Sequence, residues 1–318
     1  MSGDYLLKVT KLNTRIFYKD YAVQAVSDLD LELKEKEILA IIGESGCGKT
    51  MSMLSLTNLI PKNAKVISGQ ILLNANELAI NDEDELQNIR GSQISYIFQD
   101  ANAALNPLFT IGEQIKEMFA EHAGLSQSQS KEAAIKMLNL VNLKPAQNYY
   151  RYYPHQLSGG MNQRAMIAMA IASNPKLLIA DEPTSSLDRI TEIKILKLLK
   201  KLNNDFNLAI ILITHNISLI ENFADNIAIM YAGGIVEKGR AQEILHNPKH
   251  PYTKALLDCL PKKDKQLNAI KGSVPDLSKL PSGCKFHPRC PFVMEKCLKE
   301  EPNFTNISPE HFVKCYLR

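Results

Sequence analysis

Apolar and polar residues alternate along residues 5–12 and again along 22–33, where Leu29, Leu31 and Leu33 share one face. A period of two marks half-buried strands at the edge of a sheet. Glu37 to Ile42 is instead a short apolar run ending at Gly43, the pattern of a strand buried on both faces. From Lys49 the spacing becomes helical, through Met53, Leu54, Leu56, Leu59 and Ile60, and it stops at Pro61. Residues 66–73 and 94–98 predict further strands, and residues 111–145 predict two amphipathic helices. Ile111, Ile115, Met118 and Phe119 form the apolar face of the first, and Ile135, Leu138, Val141 and Leu143 that of the second. Next come a strand at Leu177–Ala180, a helix at Ile190–Leu202, a strand at Ala209–Ile213 and a helix near Ile217–Phe223. Strands around Ile227–Tyr231 and Ile235–Lys238 complete the series. Alternation of strand and helix predicts an α/β core with a largely parallel sheet, interrupted by an all-helical block near residues 100–173.

After about Asn247 the periodicity fades, and Pro248, Pro251, Pro261, Pro275, Pro281, Pro288, Pro291 and Pro302 punctuate the chain. A boundary there divides the 318 residues into a body at 1–246 and an irregular extension at 247–318. The 37 Lys and Arg against 34 Asp and Glu leave a net charge of +3, which is no nucleic-acid footprint. The longest apolar runs, such as Leu208 to Ile213, are far too short to span a bilayer. Met1-Ser2-Gly3-Asp4-Tyr5 has no basic region leading into an apolar stretch, so a soluble chain that stays where it is made is expected. Any membrane role then comes through a partner. Of the six cysteines, Cys47 and Cys259 stand alone, whereas Cys284, Cys290, Cys297 and Cys315 cluster in the last 35 residues. In such a chain, clustering favours metal ligation over disulfides.

Gly43-Glu44-Ser45-Gly46-Cys47-Gly48-Lys49-Thr50 fits G-x-x-x-x-G-K-[ST] after an apolar strand and before a helix. Glycines let backbone N–H groups turn inward around phosphates, and the helix N-terminus adds its positive end. Lys49 is expected at the β- and γ-phosphates of ATP, with the Thr50 hydroxyl on Mg²⁺ and Met51 completing the set of contacts. Leu177-Leu178-Ile179-Ala180-Asp181-Glu182 places carboxylates at the end of a buried strand, where α/β sheets bind ligands. Asp181 is expected on Mg²⁺, and Glu182 is expected to polarise the attacking water.

Leu157-Ser158-Gly159-Gly160-Met161-Asn162-Gln163-Arg164 is a second Gly-rich turn opening a helix, hence a second anion site built from N–H groups. One nucleotide has no use for two such sites in one chain, but a head-to-tail dimer does, each closing on its partner's γ-phosphate. These residues resemble the signature of ABC ATPases, with Ser158, Gly159, Gly160 and Gln163 as its nucleotide contacts. Gln99 resembles the glutamine that senses Mg²⁺ and the membrane partner, and Ser186-Leu187-Asp188 resembles the loop that crosses the dimer interface. His215 resembles the switch histidine on the γ-phosphate, and Tyr21, with Tyr18 and Phe17 as alternatives, is the expected adenine-stacking aromatic. The resemblance covers roughly residues 5–245. It implies a P-loop cassette with a RecA-like core, an antiparallel β edge and an inserted helical subdomain, plus a small cysteine-containing C-terminal extension. A soluble ABC ATPase acting on DNA or ribosomes is the remote alternative, and a P-loop kinase leaves the second Gly-rich turn unexplained.

Phe98-Gln99-Asp100, Ala104-Leu105-Asn106-Pro107 and His155-Gln156-Leu157 resemble the oligopeptide/dipeptide (and nickel) importer subfamily. So do His250-Pro251-Tyr252-Thr253 and the run from Leu280 to Pro291. The resemblance implies a peripheral motor on the cytoplasmic face of the membrane, paired head to tail with a second, related ATPase. Two membrane permease subunits and an extracytoplasmic substrate-binding protein complete the implied complex. Peptides are the default cargo, with nickel or metal chelates, heme, glycans or another small solute as alternatives. The cysteine spacing C-x5-C-x6-C-x17-C differs from the usual zinc pairs. Four open thiolates can hold an iron–sulfur cluster, and some members of the resembled subfamily carry [4Fe–4S] there. A structural [4Fe–4S] cluster on Cys284, Cys290, Cys297 and Cys315 is therefore expected, with zinc or packed thiols as alternatives.

Overall fold

A computed structural model describes residues 5–260 and 270–318. Met1 to Asp4, on which the expectation about a leader rests, and Pro261 lie outside the described residues. The chain divides into two compact units, Met1–Asp82 with Ile213–Arg318 and Glu83–Leu212. The first unit opens with β1 (Tyr5–Phe17), β2 (Ala22–Lys34), β3 (Ile38–Ile42), α1 (Lys49–Ser55), β4 (Ala64–Leu73) and β5 (Asn76–Glu77). β1 pairs antiparallel with both β2 and β4, giving a sheet in the order β2-β1-β4-β5. Its alternation does what the sequence predicts, burying Leu7, Val9 and Leu12 with Leu29, Leu31 and Leu33. All five residues of β3 are buried. Helix α1 is shorter than its apolar pattern, because Asn58 takes a left-handed conformation (φ 54°) and the Leu59 N–H turns back to the Leu54 carbonyl.

The second unit contains α2 (Glu83–Ile89), β6 (Ile94–Ile97), α3 (Ala101–Ala104), α4 (Ile111–Ala123), α5 (Gln127–Leu140), α6 (Ala146–Tyr150) and α7 (Gly159–Ile171). It closes with β7 (Leu177–Asp181), α8 (Arg189–Phe206) and β8 (Ala209–Ile213), the last residue of which returns to the first unit. β6 and β7 pair in parallel, so the α/β expectation holds here, and the helical run falls between them. Local chemistry sets where these helices begin. Thr110 with Glu113 and Ser126 with Gln129 form reciprocal capping boxes at the starts of α4 and α5. Gly124, left-handed, ends α4.

The first unit resumes with β9 (Asn226–Tyr231), β10 (Gly234–Arg240), α9 (Ala241–His246), α10 (Pro251–Asp258), α11 (Glu295–Lys299), β11 (Thr305–Ser308) and β12 (His311–Val313). Where the sequence predicts a helix near Ile217–Phe223, one 3-10 turn forms at Ile217–Leu219. Ile217, Ile220 and Phe223 are buried at a spacing of three, which suits a tighter turn as well as an α-helix. β3 pairs in parallel with β9, and the strands of this unit follow the order β11-β12-β10-β9-β3. The extension is therefore less irregular than its sequence implies, because β12 adds directly to β10.

That junction is held by a buried carboxylate. Glu237 on β10 is fully buried and accepts the N–H groups of Lys249 (2.6 Å) and His250 (3.0 Å). Its Oε1 also lies 2.8 Å from His311 Nε2 on β12. A charge placed there is tolerated only because these partners satisfy it. Among the described residues no helix is long and apolar enough to cross a membrane.

Candidate active site

In the first unit the phosphate loop leaves β3 at Gly43 and enters α1 at Lys49. Two of its glycines are dictated by space. A Cβ on Gly43 would lie 2.3 Å from the Met230 carbonyl oxygen, and one on Gly48 (φ 105°) would lie 2.3 Å from that of Ala25. Lys49 is buried, and its ammonium donates to the carbonyls of Gly43 and Glu44, both at 2.9 Å. Cys47 is buried beneath the loop with its thiol pushed up by burial, which keeps it a neutral packing group. Ser45, Gly46, Thr50 and Met51 fill the remaining loop and first-turn positions, and Ser52 caps back onto the Gly48 carbonyl.

Glu44 is gripped from the C-terminal extension. Its N–H donates to the Tyr252 hydroxyl (3.0 Å), and its carboxylate receives both Arg289 Nη atoms, at 2.7 and 3.1 Å. Neither Tyr252 nor Arg289 is singled out by sequence reasoning as a neighbour of the loop. Their only signal is membership of the His250-Pro251-Tyr252-Thr253 and Pro288-Arg289-Cys290-Pro291 runs.

His215 is exposed on the turn after β8, whose Thr214 N–H reaches the Ile41 carbonyl of β3. Tyr21 and Tyr18, both about half exposed, stack on each other with ring centroids 4.8 Å apart. Phe17 is exposed as well, so this short connection presents three aromatic faces.

In the second unit the carboxylates sit at the C-terminal end of β7, as expected from its apolar run. Asp181 is its last residue, and Glu182 follows with a left-handed backbone (φ 44°). Such a conformation is unfavourable for glutamate and is typical of residues held for function. Gln99, just beyond β6, donates through Nε2 to Glu182 Oε2 at 3.3 Å, so two of the predicted residues meet directly. Asp100 caps α3 by accepting the N–H groups of Asn102 and Ala103.

Helix α7 begins at Gly159 with Ser158 at its cap position and no side-chain cap bond, and the Met161 and Asn162 N–H groups donate to the Ser158 carbonyl. A Cβ on Gly160 would lie 2.7 Å from Thr191 Cγ2. Gln163, one turn into α7, is buried. Asn162 is also buried, bonding Asn102 and the Pro154 carbonyl. Asp188 caps α8 by accepting the N–H groups of Ile190 and Thr191, and its bonds to Thr191 hold its carboxyl below the usual range.

The expected iron–sulfur centre is not supported. Among the described residues no group of three or more His, Cys, Asp or Glu side chains is placed to hold a metal ion. Cys284, Cys290, Cys297 and Cys315 do line one cavity, but it has only ≈ 10 Å³ of free space, about what one water requires. Burial pushes the Cys284 thiol up to about 11 and raises those of Cys290 and Cys315. The four are free cysteines packed among Phe286, Phe292 and Tyr316. Spacing alone could not distinguish ligands from packing groups.

Comparison with known proteins bears on both parts of the chain. The ABC transporter family model matches residues 26–185, and the model of the oligopeptide/dipeptide transporter C-terminal region matches residues 236–297. The oligopeptide transport ATP-binding protein AppD of Bacillus subtilis is 40% identical over 98% of this chain and 96% of its own. The dipeptide transport ATP-binding protein DppD of Escherichia coli K12 is 41% identical over 98% and 96%. Among solved structures, the dimeric ATP-binding cassette MJ0796 bound to ADP and Pi superposes with a TM-score of 0.66 at 29% identity, covering 74% of this chain and 98% of that one. The fold is thus the RecA-like ABC ATPase fold with its antiparallel sheet and helical subdomain, plus a small C-terminal extension. The chain belongs to the ATP-binding subunits of the oligopeptide/dipeptide importer family of ABC transporters, and its catalytic role is that of an ATPase coupled to transport.

Proposed function

We propose that this chain is the ATP-hydrolysing motor of a heteromeric importer that takes up di- and oligopeptides. The observation that carries this reading is the two-part match, cassette and extension together, over nearly the whole chain. In this reading residues 1–246 are the nucleotide-binding domain, with a helical subdomain at about 100–173, and residues 247–318 are the importer-type extension. A second, related ATPase pairs with it head to tail, and two permease subunits and an extracytoplasmic substrate-binding protein complete the complex. The chain lies on the cytoplasmic face of the membrane.

Residue roles follow from chemistry. The loop from Gly43 to Met51 cradles the ATP phosphates with its N–H groups, and Lys49 exchanges its two carbonyl partners for phosphate oxygens. Thr50, Gln99 and Asp181 offer the oxygen donors that suit Mg²⁺. When bound, that ion neutralises charge on the β- and γ-phosphates. Glu182 orients and polarises the attacking water, with Gln99 restraining its carboxylate. His215 reads the γ-phosphate, and Tyr21 or its stacked neighbour Tyr18 packs on adenine. Ser158, Gly159, Gly160, Gln163 and Asp188 serve the partner's nucleotide across the dimer.

Uptake of a labelled tripeptide tests the proposal in cells carrying the wild-type chain or Glu182→Gln. Uptake is expected only with the wild type, alongside a loss of about 10²–10⁴-fold in ATP hydrolysis by the variant. Equal uptake by both would overturn peptide import driven at this site.

A further inference from the structure

We propose that Arg289 of the C-terminal extension is a positioning residue that sets the conformation of the phosphate loop and thereby the affinity for ATP. The inference deepens the functional reading above and rests on the loop being the nucleotide site.

Glu44 is held at every polar group it has. Its carboxylate takes a two-point grip from Arg289 Nη1 and Nη2, and its N–H goes to the Tyr252 hydroxyl. Its carbonyl, with that of Gly43, accepts the Lys49 ammonium. The side chain that reaches for phosphate is therefore docked on the residue that the extension holds, and any shift of Glu44 moves the Lys49 acceptors.

Arg289 is itself well fixed. Its side chain is 4% exposed, its Nε donates to the Lys271 carbonyl at 3.0 Å, and its guanidinium lies 5.8 Å from the Tyr231 ring centroid. Behind it Tyr231, Tyr252 and Phe286 form one aromatic cluster, with ring centroids 4.6–5.4 Å apart. Neutral His250 adds to the scaffold by accepting the Tyr252 N–H through Nδ1. A planar fork matched to a carboxylate fixes orientation as well as distance, which a single ammonium cannot do. Removing one partner of so enclosed a pair leaves the other charge without compensation, and the loop must rearrange to solvate it. Nothing in the phosphate-loop motif itself calls for an arginine 245 residues away in sequence.

Equilibrium binding of a fluorescent ATP analogue with Mg²⁺ to the purified full chain tests this, with nucleotide-free melting recorded in parallel. Wild type, Arg289→Met, Arg289→Lys, Glu44→Gln and the Arg289→Met/Glu44→Gln pair are compared. Arg289→Met is expected to weaken binding about tenfold, and adding Glu44→Gln to weaken it by less than about threefold more, because both remove one interaction. Arg289→Lys weakens binding too, and in steady state KM for ATP rises while kcat holds. Unchanged affinity in folded Arg289→Met, or full multiplicativity with Glu44→Gln, would overturn the inference while leaving the functional reading standing. If Arg289→Met does not melt cooperatively, Arg289→Lys decides, and wild-type affinity in it counts against the inference. A wild-type chain that binds no nucleotide overturns the functional reading and this inference together.

Discussion

The helices of the second unit and the C-terminal extension of the first are stabilised in opposite ways. Helices α4 and α5 start where Thr110 and Ser126 stand three residues ahead of Glu113 and Gln129, so each is specified within one turn of chain. The extension is specified by partners far away in sequence. Glu237 meets His311, Arg289 meets Glu44, and Tyr252 meets the Glu44 N–H. Contacts of the first kind are exposed, small and independent. Those of the second are buried or partly buried and share partners, and two of the three involve ionisable side chains, so losing one partner strands another. Local signals place elements, whereas long-range polar contacts decide what an appended segment does to a site.

The most severe test of that contrast is Glu237→Leu, which leaves His311 and two N–H groups without their acceptor. It is expected to lower unfolding free energy by about 3–5 kcal/mol in urea titration, and a loss under about 1 kcal/mol would erase the distinction.

A pH series sharpens it next. Burial pushes His250 down to about 3, against 6.5 when exposed. Between those values the unfolded chain binds the proton that the native chain refuses, so this contribution to stability is complete above about 6.5 and falls as pH drops towards 3. The slope is about 1.4 kcal/mol per pH unit. His250→Gln is expected to be less stable than wild type at pH 7.5, with the gap narrowing by about 2 kcal/mol near pH 5. A gap independent of pH would mean that His250 is not held neutral.

Thr110→Ala and Ser126→Ala should each cost about 1 kcal/mol and sum to within about 0.5 kcal/mol in the double variant, read as shifts in the urea midpoint. Strong coupling between them would show that the helical block is not locally specified. Smallest is Lys299→Ala, which removes an exposed pair with Glu295 (3.8 Å) on α11 and should change stability by less than about 0.5 kcal/mol.

The phosphate loop was legible because its motif, the preceding apolar strand and the following helix agree, and space enforces the glycines at 43 and 48. The Asp181-Glu182 strand end was legible for the same reason, although the left-handed backbone of Glu182 was not. Apolar spacing overreached at Ile217–Phe223, where a repeat of three admits a 3-10 turn, and at α1, which Asn58 ends early. The four late cysteines misled most. A thiol that packs and a thiol that ligates look alike in spacing, and only their placement in three dimensions separates them.

By itself, then, the sequence determined the α/β cassette, its phosphate loop, its carboxylate strand end and the helices between them. Each is encoded by neighbours along the chain, through periodicity, capping and steric demand for glycine. Only the tertiary structure decided that the extension adds β12 to β10, keeps its cysteines as packed thiols and delivers Arg289 and Tyr252 to Glu44. Those outcomes depend on burial and on charge pairs between residues far apart in the chain, and no local pattern carries that information.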